Sequence, residues 1–154
     1  MLSAFEPRRE DLWFRRLMLS DEETMSYNRA WGGVIDFPEE DWEGWYERWI
    51  ARPGGKRYYR YLREDSGSFV GEIAYHHDAD ADRCLADVII YAPFRGKGYG
   101  KRGLAMLCAA AKENGFAALY DDIAADNPAI ALFLKQGFTE EYRTEEKIFL
   151  KKEL

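Results

Sequence analysis

Cysteine and histidine are scarce in this chain of 154 residues, with two of each. Cys84 and Cys108 are too few and too far apart for a disulfide framework or a zinc site, and no metal centre is expected. They read as reduced thiols in apolar surroundings, which suits a cytoplasmic protein. Long apolar runs are also missing. None approaches the ~20 residues that cross a bilayer, and Met1 to Pro7 offers no apolar core for a secretory signal, so no membrane partner is expected. Basic residues are in deficit, 22 Lys and Arg against 28 Asp and Glu, for a net charge of −6. A nucleic-acid partner would call for the opposite balance; a cationic acceptor such as an amine is compatible with this one. Internal repeats and Pro/Gly/Ser linkers are lacking too, so residues 1–154 read as a single domain.

What is present is apolar and aromatic. Hydrophobic residues make up 47 % of the chain and aromatics 16 %, enough to form a core despite 32 % charge. The run Leu12 to Leu19 reads as a first strand. Ser20 with Glu23 three residues on is a capping-box pattern, predicting a short helix to about Asn28, broken by Gly32-Gly33. Pro38 followed by Glu39, Glu40 and Asp41 starts a second helix. On it Trp42, Trp45, Tyr46 and Trp49 form one stripe. That stripe fits core packing, and it also fits an aromatic wall for an amine.

Strand-like runs follow at 57–64, 68–76 and 84–91, joined by short turns that imply an antiparallel meander. Tyr58, Tyr59 and Tyr61 in the first of these suggest a face for homodimer formation. Beyond Gly100 the period turns helical, with Leu104, Leu107, Cys108 and Ala111 on one side. Residues 118–124 read as a strand, 128–136 as a short helix and 146–150 as a last strand, with 139–142 a candidate for one more. The order β-α-α-β-β-β-α-β-α-β(-β) is an α/β (α+β) domain: a mixed, mainly antiparallel sheet of six to seven strands flanked by about four helices. His76-His77 and the aspartates at 78, 80 and 82 lack the glycine and glutamate of a calcium loop, and read as a solvated hairpin.

The chemistry concentrates at Ile89-Ile90-Tyr91-Ala92-Pro93-Phe94-Arg95-Gly96-Lys97-Gly98-Tyr99-Gly100-Lys101. A β-branched strand runs into a loop with three alternating glycines and then directly into a helix. Glycines there let successive N–H groups converge without Cβ atoms in the way, and the helix start adds partial positive charge. Lys97 and Lys101 contribute full charges, so a pyrophosphate is the natural guest. The phosphate-loop pattern fails, since no Gly-Lys is followed by Ser or Thr. Gly98-x-Gly100-x-x-Gly103, with Asp121 and Asp122 downstream, matches the dinucleotide pattern. That loop should leave its strand directly and open a series of βαβ units, whereas here Pro93 to Arg95 intervene and a meander precedes.

Arg95-x-x-Gly98-x-Gly100 resembles the acetyl-CoA pyrophosphate loop of the GNAT acyltransferases. The stretch Asp122 to Pro128 and Ala131 to Phe138 resembles the same family's strand-Asn-helix-Gly-Phe segment. The resemblance implies an acetyl-CoA-dependent N-acetyltransferase in which a small-molecule or peptide amine attacks the thioester directly. It implies cofactor contacts at Ile89, Ile90, Tyr91, Arg95, Gly96, Lys97, Gly98, Tyr99, Gly100, Lys101, Asn127 and Phe133. The pantetheine arm would pair with the backbone of Ile89 and Tyr91 in a gap between strands, and an N–H at or near Ile90 would polarise the acyl carbonyl. Asp122, Glu72 and Asp87 are candidates for the base. Acceptor contacts are expected at Tyr27, Asn28 and Trp31. Relatives that carry a Tyr proton donor differ here, where Phe133 has no hydroxyl. A catalytically silent acyl-CoA sensor and a nicotinamide-dinucleotide binder are the alternative readings.

Overall fold

A computed structural model describes residues 1–154, save the side chains of Ala30 and Trp31. The elements in chain order are β1 (Leu2–Phe5), α1 (Leu12–Ser20), α2 (Glu39–Tyr46), β2 (Arg57–Glu64), β3 (Phe69–Asp78) and β4 (Arg83–Ile90). They continue with α3 (Tyr99–Glu113), β5 (Ala118–Ala124), α4 (Ile130–Lys135), β6 (Thr139–Arg143) and β7 (Lys147–Glu153). The expected order of elements is found, with two changes near the start. Leu12 to Leu19 is helix rather than strand, and the first strand is Leu2–Phe5. A short apolar run carries no clear period, and here Leu12, Phe14, Met18 and Leu19 share the buried face of a helix. The helix expected at 20–28 is instead a turn held by Asp21, whose carboxylate accepts from the Thr24 N–H at 3.1 Å, followed by a 3-10 segment at Ser26–Trp31.

The seven strands form one sheet in the order β1-β2-β3-β4-β5-β7-β6. Every pairing is antiparallel except β4 with β5, which are parallel and register at one pair alone, Leu85 with Tyr120. Beyond that pair the two strands part. Strand twist accumulates across the sheet, and β4 is held on its other edge by eight registered pairs with β3. The sheet therefore splits at its middle.

Each face has its own core. Leu104, Leu107, Cys108 and Ala111 of α3 and Phe133 of α4 pack on one face, against Leu62, Ile73, Leu119, Ile123, Ile148 and Leu150. On the other face α1 and Trp45 of α2 cover Tyr59, Tyr61, Ala74 and Ile89. Tyr59 and Tyr61 are thus internal, 1 % and 0 % exposed, and form no outer face for a second copy. Gly103 lets α3 press on the sheet: a Cβ there would come 2.8 Å from Leu62 Cδ1. His76, His77 and Asp78 end strand β3, and residues 79–82 form the hairpin loop to β4, with His77 Nε2 2.9 Å from an Asp82 carboxylate oxygen. Among the described residues no group is placed to hold a metal ion, and no helix is long and apolar enough to cross a membrane.

Candidate active site

The split between β4 and β5 opens into a cleft of about 730 Å³. Ile89, Ile90, Arg95, Gly100, Asn127 and Phe133 line it, as do Tyr27 and Asn28. The Trp31 side chain lies outside the described residues. A second recess of about 340 Å³, walled by Trp45, Trp49, Tyr59 and His76, meets the first at Arg15, Glu72, Asp87, Asp121 and Asp122.

The strand register decides which backbone groups face the gap. Tyr91 N–H donates to Val70 O at 2.9 Å, and Phe94 N–H donates to Tyr91 O at 2.8 Å. Antiparallel alternation then turns the peptide groups of Ile89 towards β3 and those of Val88 and Ile90 towards the gap. Pairing by Ile89 and Tyr91, as the resemblance implied, is thereby corrected: both are engaged within the sheet, and Val88 and Ile90 present the unsatisfied edge. Gly71 on β3 is needed for this bend of β4, because a Cβ there would lie 2.4 Å from Ile89 O.

At the mouth of the gap, Gly96 and Gly98 adopt φ of +81° and +80°, and the space a Cβ would fill at either is open. Gly98 is the N-cap of α3, and no side chain caps that helix. The first-turn N–H groups of α3, with Lys97 and Lys101 beside them, therefore form an anion cradle that fits a diphosphate. Gly100 brings α3 close to its neighbours, its missing Cβ lying 3.2 Å from Leu132 Cδ2. Arg95 is committed elsewhere: its guanidinium donates to Glu23 O at 3.1 Å and Thr24 O at 2.7 Å. Ala92 N–H donates to the buried Thr24 hydroxyl at 3.0 Å. These bonds tie the glycine loop to the segment that carries Tyr27 and Asn28. Tyr91 packs against Phe14, and Tyr99 turns outward to hydrogen-bond Glu64. Asn127 Oδ1 accepts from Ala129 N–H at 2.9 Å and so shapes the entry to α4. Phe133 is buried edge-on against Phe138.

Where the recesses meet, the charges are unevenly paired. Glu72, 1 % exposed, takes Arg15 Nη1 on both oxygens at 3.0 and 2.9 Å. Burial pulls the Arg15 guanidinium down, but the charge of Glu72, with Tyr59 and Asp87 behind it, outweighs that and raises it above its ordinary value. The Arg15 guanidinium also lies 4.7 Å from the Trp45 ring centre and 5.1 Å from that of Phe37. This arrangement occupies Glu72 and makes it a poor base.

Asp87 has no such partner. Its side chain reaches solvent yet is walled by protein, and burial, with the nearby Glu72 charge, pushes it up to about 7 against the opposing pull of Arg15 and a hydrogen bond with the Val88 backbone. Burial, then Asp87 and then Asp122, raise Asp121 well above the ordinary carboxyl range. Asp122 keeps one buried oxygen, Oδ1, without a hydrogen-bond partner. Burial, with Asp87 and Glu72 next, raises the Tyr27 phenol, so it stays protonated beside these carboxylates.

Arg15 and Asp121 were missed in the sequence. Arg15 lies in a run whose composition reads as strand, and in the sequence Asp121 stands out only with Asp122, as an acidic residue downstream of the dinucleotide pattern.

The chain matches the family model described as acetyltransferase (GNAT) family over residues 16–138. No curated protein matches it. Among solved structures it is similar to a ribosomal-protein-alanine N-acetyltransferase from Brucella melitensis, at 24 % identity and a TM-score of 0.77, covering 100 % of this chain and 99 % of that one. It is also similar to a spermidine N-acetyltransferase from Vibrio cholerae in complex with CoA and spermine, at 17 % identity and a TM-score of 0.78, covering 99 % and 95 %. A phosphinothricin acetyltransferase from Sinorhizobium meliloti in complex with acetyl-CoA has 18 % identity and a TM-score of 0.79, with coverage of 99 % and 88 %. At these identities the likenesses establish the fold.

Proposed function

This chain belongs to the GNAT family of acetyltransferases, and on that premise we propose that it moves the acetyl group of acetyl-CoA to a primary amine at the β4–β5 gap, with Asp87 as base. The observation that carries this reading is the unpaired Asp87, raised towards neutrality, one residue from the backbone edge that faces the gap. Acetyl-CoA supplies an acyl carbon activated as a thioester. The first turn of α3 and the loop 96–98 hold its diphosphate through backbone N–H groups, while Lys97 and Lys101 add charge. Val88 and Ile90 extend the sheet edge towards the pantetheine amides, in the manner of an added strand. The Ile90 N–H stabilises charge that develops on the acyl oxygen.

An amine arrives as an ammonium and is drawn to Asp87, Asp121 and Asp122. Asp87 takes one ammonium proton, directly or through a water. The freed nitrogen lone pair then forms the N–C bond as the C–S bond breaks, and the electrons of that bond leave on sulfur. A pantetheine thiol resembles a free cysteine, with a pKa of about 8.5, so the thiolate departs without a donor from Phe133. Tyr27 lines the same cleft, but burial holds its phenol above the ordinary range, so it is a weaker acid than the departing thiol and the thiolate takes its proton from solvent. Arg95 and Thr24 act as positioning residues that couple the cofactor loop to the acceptor segment.

The test is calorimetric titration with acetyl-CoA, followed by thiol release across a panel of primary amines. Micromolar binding with amine-dependent release supports the reading. Binding without release from any amine favours the silent sensor, and tighter binding of NAD overturns both.

A further inference from the structure

We propose that Thr24 is a positioning residue through which bound acetyl-CoA orders the acceptor side of the cleft, so that cofactor and amine strengthen each other's binding. This rests on the transferase reading and adds to it how the two halves of the cleft communicate.

The chain path points there first. The segment 21–34 carries Tyr27 and Asn28 into the cleft, belongs to no strand and crosses between α1 and α2. Inside it the hydrogen bonds are local, as from Asn28 Nδ2 to Gly33 O at 2.8 Å. Apart from the Asp21 N–H, which closes α1 on Met18 O, it makes three hydrogen bonds to the rest of the fold among the described residues, and all three end in 92–95. Met25 is buried and Tyr27 packs against the same core, but apolar packing is non-directional, and the three bonds set the segment against the loop.

Residues 92–95 are in turn held between two cofactor contacts. On one side Ile90 faces the gap, and on the other Gly96 and Gly98 shape the diphosphate cradle. A ligand that grips both ends fixes the piece between them. Thr24 passes that order on. It is 0 % exposed, and its hydroxyl accepts from Ala92 N–H at 3.0 Å while donating to Asp21 Oδ2 at 2.5 Å. One hydroxyl thus joins the cofactor loop to the turn that starts the acceptor segment. Arg95 adds two bonds from an exposed side chain, to the carbonyls of Glu23 and Thr24. An amine that binds a segment already ordered loses less conformational entropy, and by linkage the gain is mutual.

The experiment is amide hydrogen exchange of the full chain with and without acetyl-CoA. In the wild type the cofactor slows exchange at 96–101 and also, by about fivefold or more, at 21–34. In Thr24→Val, which keeps the shape and removes the hydroxyl, 96–101 is still protected and the slowing at 21–34 is lost. Thr24→Ser regains it. With an amine found active by thiol release, KM for the amine rises about tenfold in Thr24→Val, while kcat and the Kd for acetyl-CoA stay within about twofold. Arg95→Met, at an exposed side chain, reads the same link if Thr24→Val does not fold. Protection at 96–101 with 21–34 unchanged in the wild type overturns the proposal. So does slowing at 21–34 that persists in every variant that folds, or a Ser variant as uncoupled as the Val one. No protection at 96–101 overturns it together with the transferase reading.

Discussion

Replacing Asp87 with Asn removes the proposed base while preserving size and hydrogen-bonding shape, and it has two readouts of opposite sign. The first is catalytic. General-base contributions are about 10²- to 10⁴-fold, so kcat falls by about that factor while the Kd for acetyl-CoA stays within about twofold. The wild-type rate rises with pH through about 7, where Asp87 loses its proton, and the variant lacks that limb. The second readout is stability. Asp87 has an ordinary value of 3.8 and is pushed up to about 7 in the fold, so the native state holds its proton more tightly than the unfolded chain does. Wild-type stability therefore declines as pH rises from about 4 to about 7, and the Asp87→Asn variant is spared that decline. Converted without discount, this gap is about 4 kcal/mol. The Asp87 side chain is exposed to solvent, which screens it, so about 1 kcal/mol remains. For a domain of this size that is a Tm about 2–4 °C above wild type at pH 8 and no difference at pH 4. The assays are thiol release from pH 5.5 to 9 and thermal melts at the two pH values. A fully active variant, with its pH limb intact, refutes the assignment and turns attention to Asp122.

The paired charges and the glycines give further tests. Arg15→Leu strands the buried Glu72 and costs about 3–5 kcal/mol in denaturant melts, and adding Glu72→Gln recovers a large part of it. Gly71→Ala sets a Cβ 2.4 Å from the Ile89 carbonyl, a backbone atom that cannot step aside, and is expected to abolish soluble folding. Gly103→Ala meets the movable end of Leu62 instead, at 2.8 Å, and costs about 1–3 kcal/mol with the fold retained. Gly98→Val imposes a branched side chain at φ +80° and reshapes the cradle. Acetyl-CoA affinity, read by calorimetry, falls by about two orders of magnitude or more.

Local chemistry carried much of this into the sequence. The loop from Arg95 to Gly100, the strands at 57–64 and 118–124 and the helix beginning near Gly100 were legible, because glycine spacing, turn residues and side-chain period are properties of adjacent residues. Leu12 to Leu19 was not, since a short apolar run satisfies helix and strand alike, and packing against Tyr59 and Tyr61 decided it. The tyrosines at 59 and 61 likewise became core when α1 and α2 closed over them.

The residue pattern by itself determined an α/β fold with a glycine loop at a helix start. Tertiary structure alone decided which carboxylate is free to act. Glu72, Asp87, Asp121 and Asp122 come from three strands, and nothing in their sequence neighbourhoods ranks them. Arg15 reaches Glu72 from 57 positions away and leaves Asp87 unpaired. Charge pairing acts through space over a few ångströms, and folding sets those distances.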